Sequence, residues 1–119
     1  MSTVNDTNKI DLIGIDKECN HINLEILDSI DWDDEEKHLL LLEQKINTYL
    51  SFIESGQIYE VKPEGKGKKI VITVIFAYEL TENAIKFLFT VAHILHDAGY
   101  KFEYQIEKPH KLRCTPLLD

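Results

Sequence analysis

A chain of 119 residues with 44% hydrophobic and 29% charged side chains is sized for one compact domain and carries enough apolar surface to build a core without staples. No apolar run approaches the roughly 20 residues that span a bilayer, and the polar opening "MSTVNDTNK" lacks the apolar stretch of an export signal, so neither a spanning helix nor export is expected and a cytoplasmic setting is. The net charge of −8 is concentrated: residues 1–60 hold 14 acids against 4 lysines, whereas residues 61–119 hold 7 acids against 9 Lys and Arg. Such a field disfavours nucleic acid and anionic membrane and speeds encounter with a cationic partner, although solubility alone accounts for it equally well.

Residues 1–9 read as a disordered leader. "IDLIGID" (10–16) then gives a short apolar strand, and after the turn "DKECN" the segment "HINLEIL" alternates Ile22, Leu24 and Ile26 against His21, Asn23 and Glu25. The two strands should pair as an antiparallel hairpin. From about Asp34 the period becomes helical, with Leu39, Leu42, Ile46, Tyr49, Leu50 and Ile53 on one stripe and Gly56 placed to end it. "QIYEV" (57–61) allows a short strand, and "KPEGKGKK" reads as a flexible basic loop.

"KIVITVIFAYEL" is apolar at nearly every position and rich in β-branched residues, as a central strand is. Thr81 can cap the following helix, whose inward stripe is expected at Ala84, Leu88, Val91, Leu95 and Ala98 and whose stop is Gly99. "YKFEYQIE" alternates again as a last strand, and residues 108–119, with two prolines and no period, read as a tail. The expected fold is α+β: a two-layer sandwich of order β-β-α-(β)-β-α-β, with a four- to five-stranded mixed sheet and two helices on one face, in a single domain over residues 10–107. The final strand-helix-strand unit should make its strands parallel.

The stretch "DSIDWDDEEKHLLLL" (28–42) holds six carboxylates and the only tryptophan. Asp33 followed by Glu36 matches a capping box, and Asp34 and Glu35 suit the positive end of a helix. Capping leaves Asp28, Asp31 and Trp32 unused. Together with Glu35 these are the candidate partner-binding residues, since tryptophan ringed by acids suits an interface anchor. Trp32 folded back as a lid on the core is the competing expectation.

A metal site is not expected, because residues 33–36 point around a helix and lack the spacing of a calcium loop. His93 and His96 stand at i, i+3 without a third ligand, so one partly buried and one solvated histidine is the better account. Cys19 and Cys114 have neither CxxC spacing nor histidine partners and are expected as free thiols. No phosphate-binding glycine loop or nucleophile motif occurs; no cofactor is expected, and enzymatic function is disfavoured.

The run "DWDDEEKHLLLLEQKINTYLSFIESGQIYE", continuing through "GKGKKIVITVIFAYELTENAIKFL" to "AGYKFEY", resembles a family of small bacterial proteins catalogued as a domain of unknown function. The likeness spans about residues 10–104. It implies a bacterial origin and a standalone α+β domain, and no activity. By class, small acidic motif-free bacterial domains suit an immunity or antitoxin role that neutralises a cationic toxin domain. Two other expectations are a homodimeric structural or regulatory module joined at the edge of the last strand through Phe102 and Tyr104, and, disfavoured, a metal-dependent hydrolase using the carboxylate cluster.

Overall fold

The computed structural model describes residues 7–108 and the backbone of residues 111–116, with side chains placed through Glu107. Five strands and three helices follow in the order β1 (Leu12–Asp16), β2 (His21–Asp28), α1 (Glu35–Glu54), α2 (Gln57–Val61), β3 (Lys69–Phe76), α3 (Glu82–Asp97), β4 (Lys101–Lys108) and β5 (Lys111–Pro116). The sheet order is β1-β2-β3-β4-β5, identical to the chain order. β1 pairs with β2 antiparallel, as the alternation anticipates; β2-β3 and β3-β4 are parallel, and β4-β5 is antiparallel.

Both parallel connections step in the same direction along the sheet, and right-handed crossovers therefore lay α1 and α3 on the same face. One core results. Ile22, Leu24 and Ile26 of β2, Ile70, Ile72, Val74 and Phe76 of β3 and Phe102 of β4 meet Leu42, Ile46, Tyr49, Phe52 and Ile53 of α1 and Leu88, Ala92 and Leu95 of α3. At about 25 cal/mol per Å² of buried apolar surface, this cluster is the principal source of stability. Asn83 Nδ2 donates to Glu35 Oε1 at 2.9 Å, tying together the first turns of the two long helices.

The helix ends follow local chemistry. Thr81 Oγ1 accepts from Ala84 N at 3.1 Å as expected, and Gly99, at φ +93°, closes α3 with Gly99 N to His96 O (2.9 Å) and Tyr100 N to Leu95 O (2.9 Å), a Schellman arrangement. At the start of α1 the cap is Asp34, which accepts from Lys37 N at 3.2 Å; the expected Asp33 sits one residue outside it, its own N–H bonded to Asp31 Oδ1.

Four further expectations are corrected. Residues 57–61 form the helix α2 rather than a strand: Gly56, at φ +85°, reverses the chain so that one helical turn drops Ile58 into the core. The basic segment that follows is not wholly irregular, because Pro63–Gly65 makes a 3₁₀ turn, and the buried Gly65 lies so close to β2 that an added Cβ would stand 2.6 Å from Ile22 Cδ1. Within α3, Ala92 is buried where Val91 is partly buried and Ala98 exposed, since the inward stripe centres on Leu88 and Leu95 and Val91 falls on the flank towards α1. Residues 111–116, expected as tail, pair antiparallel with β4 as β5, so the edge on this side of the sheet is β5 and not the strand that holds Phe102 and Tyr104. Of the expected leader, residues 1–6 lie outside the described residues, and Thr7 O accepts from the Thr48 hydroxyl.

Candidate functional site

The carboxyl ends of β2 and β3 carry the β2–α1 connection (29–34) and the β3–α3 connection (77–81), held side by side by Ala77 N donating to Asp28 O at 2.9 Å. Here the "DSIDWDDEE" acids part company. Asp28, a candidate surface residue from sequence, is turned inward: it is 2% exposed, and its Oδ2 lies 2.6 Å from His38 Nε2. Its second oxygen accepts from Ile30 N at 3.1 Å. The alternation of β2 is the cause, because Asp28 follows Ile22, Leu24 and Ile26 on the helix-covered side.

His38 is 1% exposed, and its Nδ1 lies 2.9 Å from Asp31 O. Trp32 stacks flat on the imidazole, with centroids 3.6 Å apart and planes 16° from parallel, and its other neighbour is Phe76 at 6.1 Å. Phe76 in turn meets Tyr104 edge-on. Trp32 is thus a lid over the buried Asp28–His38 pair, partly exposed, with its Nε1 enclosed and unpartnered among the described residues.

Four acids stay outside: Asp31, Asp33, Asp34 and Glu36 are exposed, and among the described residues none has a cation within ion-pair distance. Asp31, Asp33 and Asp34 line a shallow hollow of about 260 Å³ with Ile30, Lys37, His38 and Leu41. Leu40, 53% exposed, and Tyr78, 50% exposed on the adjacent connection, add apolar surface to this end of the molecule. Glu35 belongs to the fold instead: the hydrogen bond from Asn83, then that from Thr81, holds its carboxyl below the ordinary glutamate range. Among the described residues no three His, Cys, Asp or Glu side chains converge as metal ligands. His93 and His96 are both exposed on α3, so His96 is more open than its place beside the apolar stripe implies. Cys19 is a free, exposed thiol in the β1–β2 turn, pushed up from its ordinary range chiefly by the Asp16 carboxylate, and the side chain of Cys114 lies outside the described residues.

Two buried polar residues escape a reading based on apolar spacing. His38 and Lys45 sit on the same helical stripe as Leu42, Ile46, Tyr49, Phe52 and Ile53, at the three- and four-residue steps that define its inward face. That spacing was the available signal, since a charged side chain on a buried stripe demands a partner. For Lys45 the partner is Asp11, at 2.8 Å, with both side chains closed to solvent.

A family model described as a family of unknown function, DUF6572, matches residues 1–108. The chain belongs to this family. The DUF6572 match runs from the N-terminus through β4 and stops ahead of β5. It takes in the whole acidic end, including the Asp28–His38 pair and Trp32. No curated protein and no solved structure matches the chain.

Proposed function

We propose that this domain is a non-catalytic protein-binding module of the immunity or antitoxin type, which neutralises a cationic toxin domain by docking it on the acidic end built from residues 29–36 and 77–81. The observation that carries the reading is the division of the acids: Asp28 is consumed internally by His38, while Asp31, Asp33, Asp34 and Glu36 face solvent with no ion-paired cation among the described residues. Exposed Leu40 and Tyr78 and the firmly held Trp32 supply apolar and aromatic area among those charges, the composition of an interface anchor with a polar rim. Carboxylates of one sign at one end raise the on-rate for a basic partner.

The fold supports a binding role over catalysis. Both long crossovers step the same way, so the sheet has no switch point at which helices diverge to leave a ligand crevice. His38, the histidine nearest the acids, spends both ring nitrogens on internal partners and offers none to a substrate. No helix among the described residues is long and apolar enough to cross a membrane; the cytoplasmic setting is part of the same proposal.

The test uses Asp31→Lys, Asp33→Lys and Glu36→Lys together, sparing Asp28, Asp34 and Glu35, which serve the fold. A basic partner that co-purifies with the wild-type chain from its host at low salt should be lost with the triple variant, while the melting temperature stays close to that of wild type. Association of the purified pair should slow as salt rises from about 50 to about 300 mM, as the Debye length shortens. Retention of the same partner by the triple variant, at an unchanged rate, removes the acidic end from the interface.

A further inference from the structure

The buried pair beneath Trp32 has a proton requirement written into its geometry. His38 Nδ1 faces the Asp31 carbonyl at 2.9 Å and Nε2 faces the Asp28 carboxylate at 2.6 Å, and both partners are acceptors. A neutral imidazole has one N–H and can satisfy only one of them. Both contacts exist together only if the pair holds one further proton, either as imidazolium against carboxylate or with the proton on Asp28 and donated to Nε2. Trp32 favours the first form, because its flat stack at 3.6 Å places the indole face on the ring where a cation is attracted by the π quadrupole.

We infer that Asp28 and His38 form a proton-dependent lock on the β2–α1 connection. Holding the proton, the pair pins the Asp31 backbone and seats Trp32, and so fixes the segment that displays Asp31 and Asp33. When the proton leaves, one contact must fail: either the Nε2 lone pair confronts the Asp28 carboxylate at close range, or the other tautomer turns a bare Nδ1 towards the Asp31 carbonyl. Little can replace the lost partner inside a site closed to water, so the connection lets go of the ring. The titratable and charged groups facing His38 are Asp28 from β2, Asp31, Asp33 and Asp34 from the connection, Lys37 from its own helix, and Tyr104 from β4 behind Phe76. The consequence for docking rests on the function proposed above, since a released connection no longer presents its acids as one surface; the lock itself needs no partner and is tested without one.

The chain has one tryptophan, so its emission reports this site alone. The full chain is titrated from about pH 5 to about pH 10, a span that takes in the roughly pH 5 to 8 window in which an ordinary histidine changes charge, following Trp32 emission and the ¹⁵N shifts of the His38 ring, with far-ultraviolet circular dichroism to show that the fold persists. The acid end should show an imidazolium pattern, with both nitrogens protonated, or a neutral ring protonated at Nδ1 whose Nε2 accepts a hydrogen bond from the protonated Asp28 carboxyl. A single transition should then follow in which ring shifts and Trp32 emission move together. His38→Gln, which keeps a neutral donor, should abolish the emission transition. A folded His38 ring that at pH 5 to 6 is neutral, with one nitrogen neither carrying a proton nor accepting a hydrogen bond, overturns the lock, as does an emission transition that survives in His38→Gln. Should that variant fail to fold, the ¹⁵N titration of the wild-type ring decides by itself. Should the lock hold while the triple lysine variant still binds its partner, only the docking surface is refuted.

Discussion

Lys45 of α1 places its ammonium 2.8 Å from the Asp11 carboxylate, and neither side chain reaches water. Asp11 also accepts from Leu27 N at 2.9 Å, and its own N–H donates to the Tyr49 hydroxyl at 2.8 Å, which in turn donates to Glu25 O. One polar knot thus joins the start of the β1 strand, the end of β2 and the middle of α1. Removing one member of a buried pair strands the other charge, so Lys45→Met should cost about 3 to 5 kcal/mol in urea unfolding. Adding Asp11→Asn, which keeps an acceptor for Leu27, should return at least about 1 kcal/mol of that loss. Strictly additive losses would mean the two groups do not meet in solution.

The cap of α1 distinguishes adjacent aspartates. Asp34→Ala should lower stability by about 0.5 to 2 kcal/mol, because the Lys37 N–H loses its acceptor. Asp33→Ala should stay within about 0.5 kcal/mol, the range of ordinary surface changes. Equal effects at the two positions would argue for a helix start one residue earlier.

Ile46, 4% exposed at the centre of the core, offers the plainest packing test. Ile46→Ala should cost about 2 to 5 kcal/mol by denaturant melt. A loss below about 0.5 kcal/mol would take α1 off the sheet.

Two groups set slopes of stability against pH. Burial, reinforced by the Asp11 and Glu25 charges, pushes the Tyr49 phenol well above its ordinary range, so the folded chain keeps that proton after the unfolded chain has begun to lose it. Its contribution is fully present below about pH 10 and declines as pH rises beyond. Tyr49→Phe should be less stable at neutral pH yet flatter above pH 10. Glu35 has the opposite sign: its lowered carboxyl adds stability above the ordinary glutamate range, lost as pH falls through the folded value. Glu35→Gln should flatten the acid limb, measured by melts between about pH 2 and about pH 6. An unchanged limb would remove the Asn83 contact.

The strands and long helices were legible because each carries its period over many residues: two for "HINLEIL", three to four for "LLLLEQKINTYLSFI". The short elements were not. Five residues of "QIYEV" satisfy a strand as well as a helical turn, and only the position of Ile58 against the core decides. β5 gives little local signal because two prolines bracket its region and its pairing with β4 is a tertiary fact. At the site, the acidic cluster was visible as a cluster, but its split was not: whether Asp28 points in or out depends on the strand running one residue past "HINLEIL", and whether His38 is a surface residue or a buried partner depends on the phase of a helix start.

The coincidence of strand order with chain order bears on how the sheet comes into being. Each strand pairs with the strand before it in the chain, so no strand must be threaded between two earlier ones. By residue 108 the three parallel inner strands and both covering helices have been synthesised, and β5 arrives last to close the remaining flank. β5 therefore extends a sheet in which every ladder already joins consecutive strands, and its removal would leave the three parallel inner strands paired as they are.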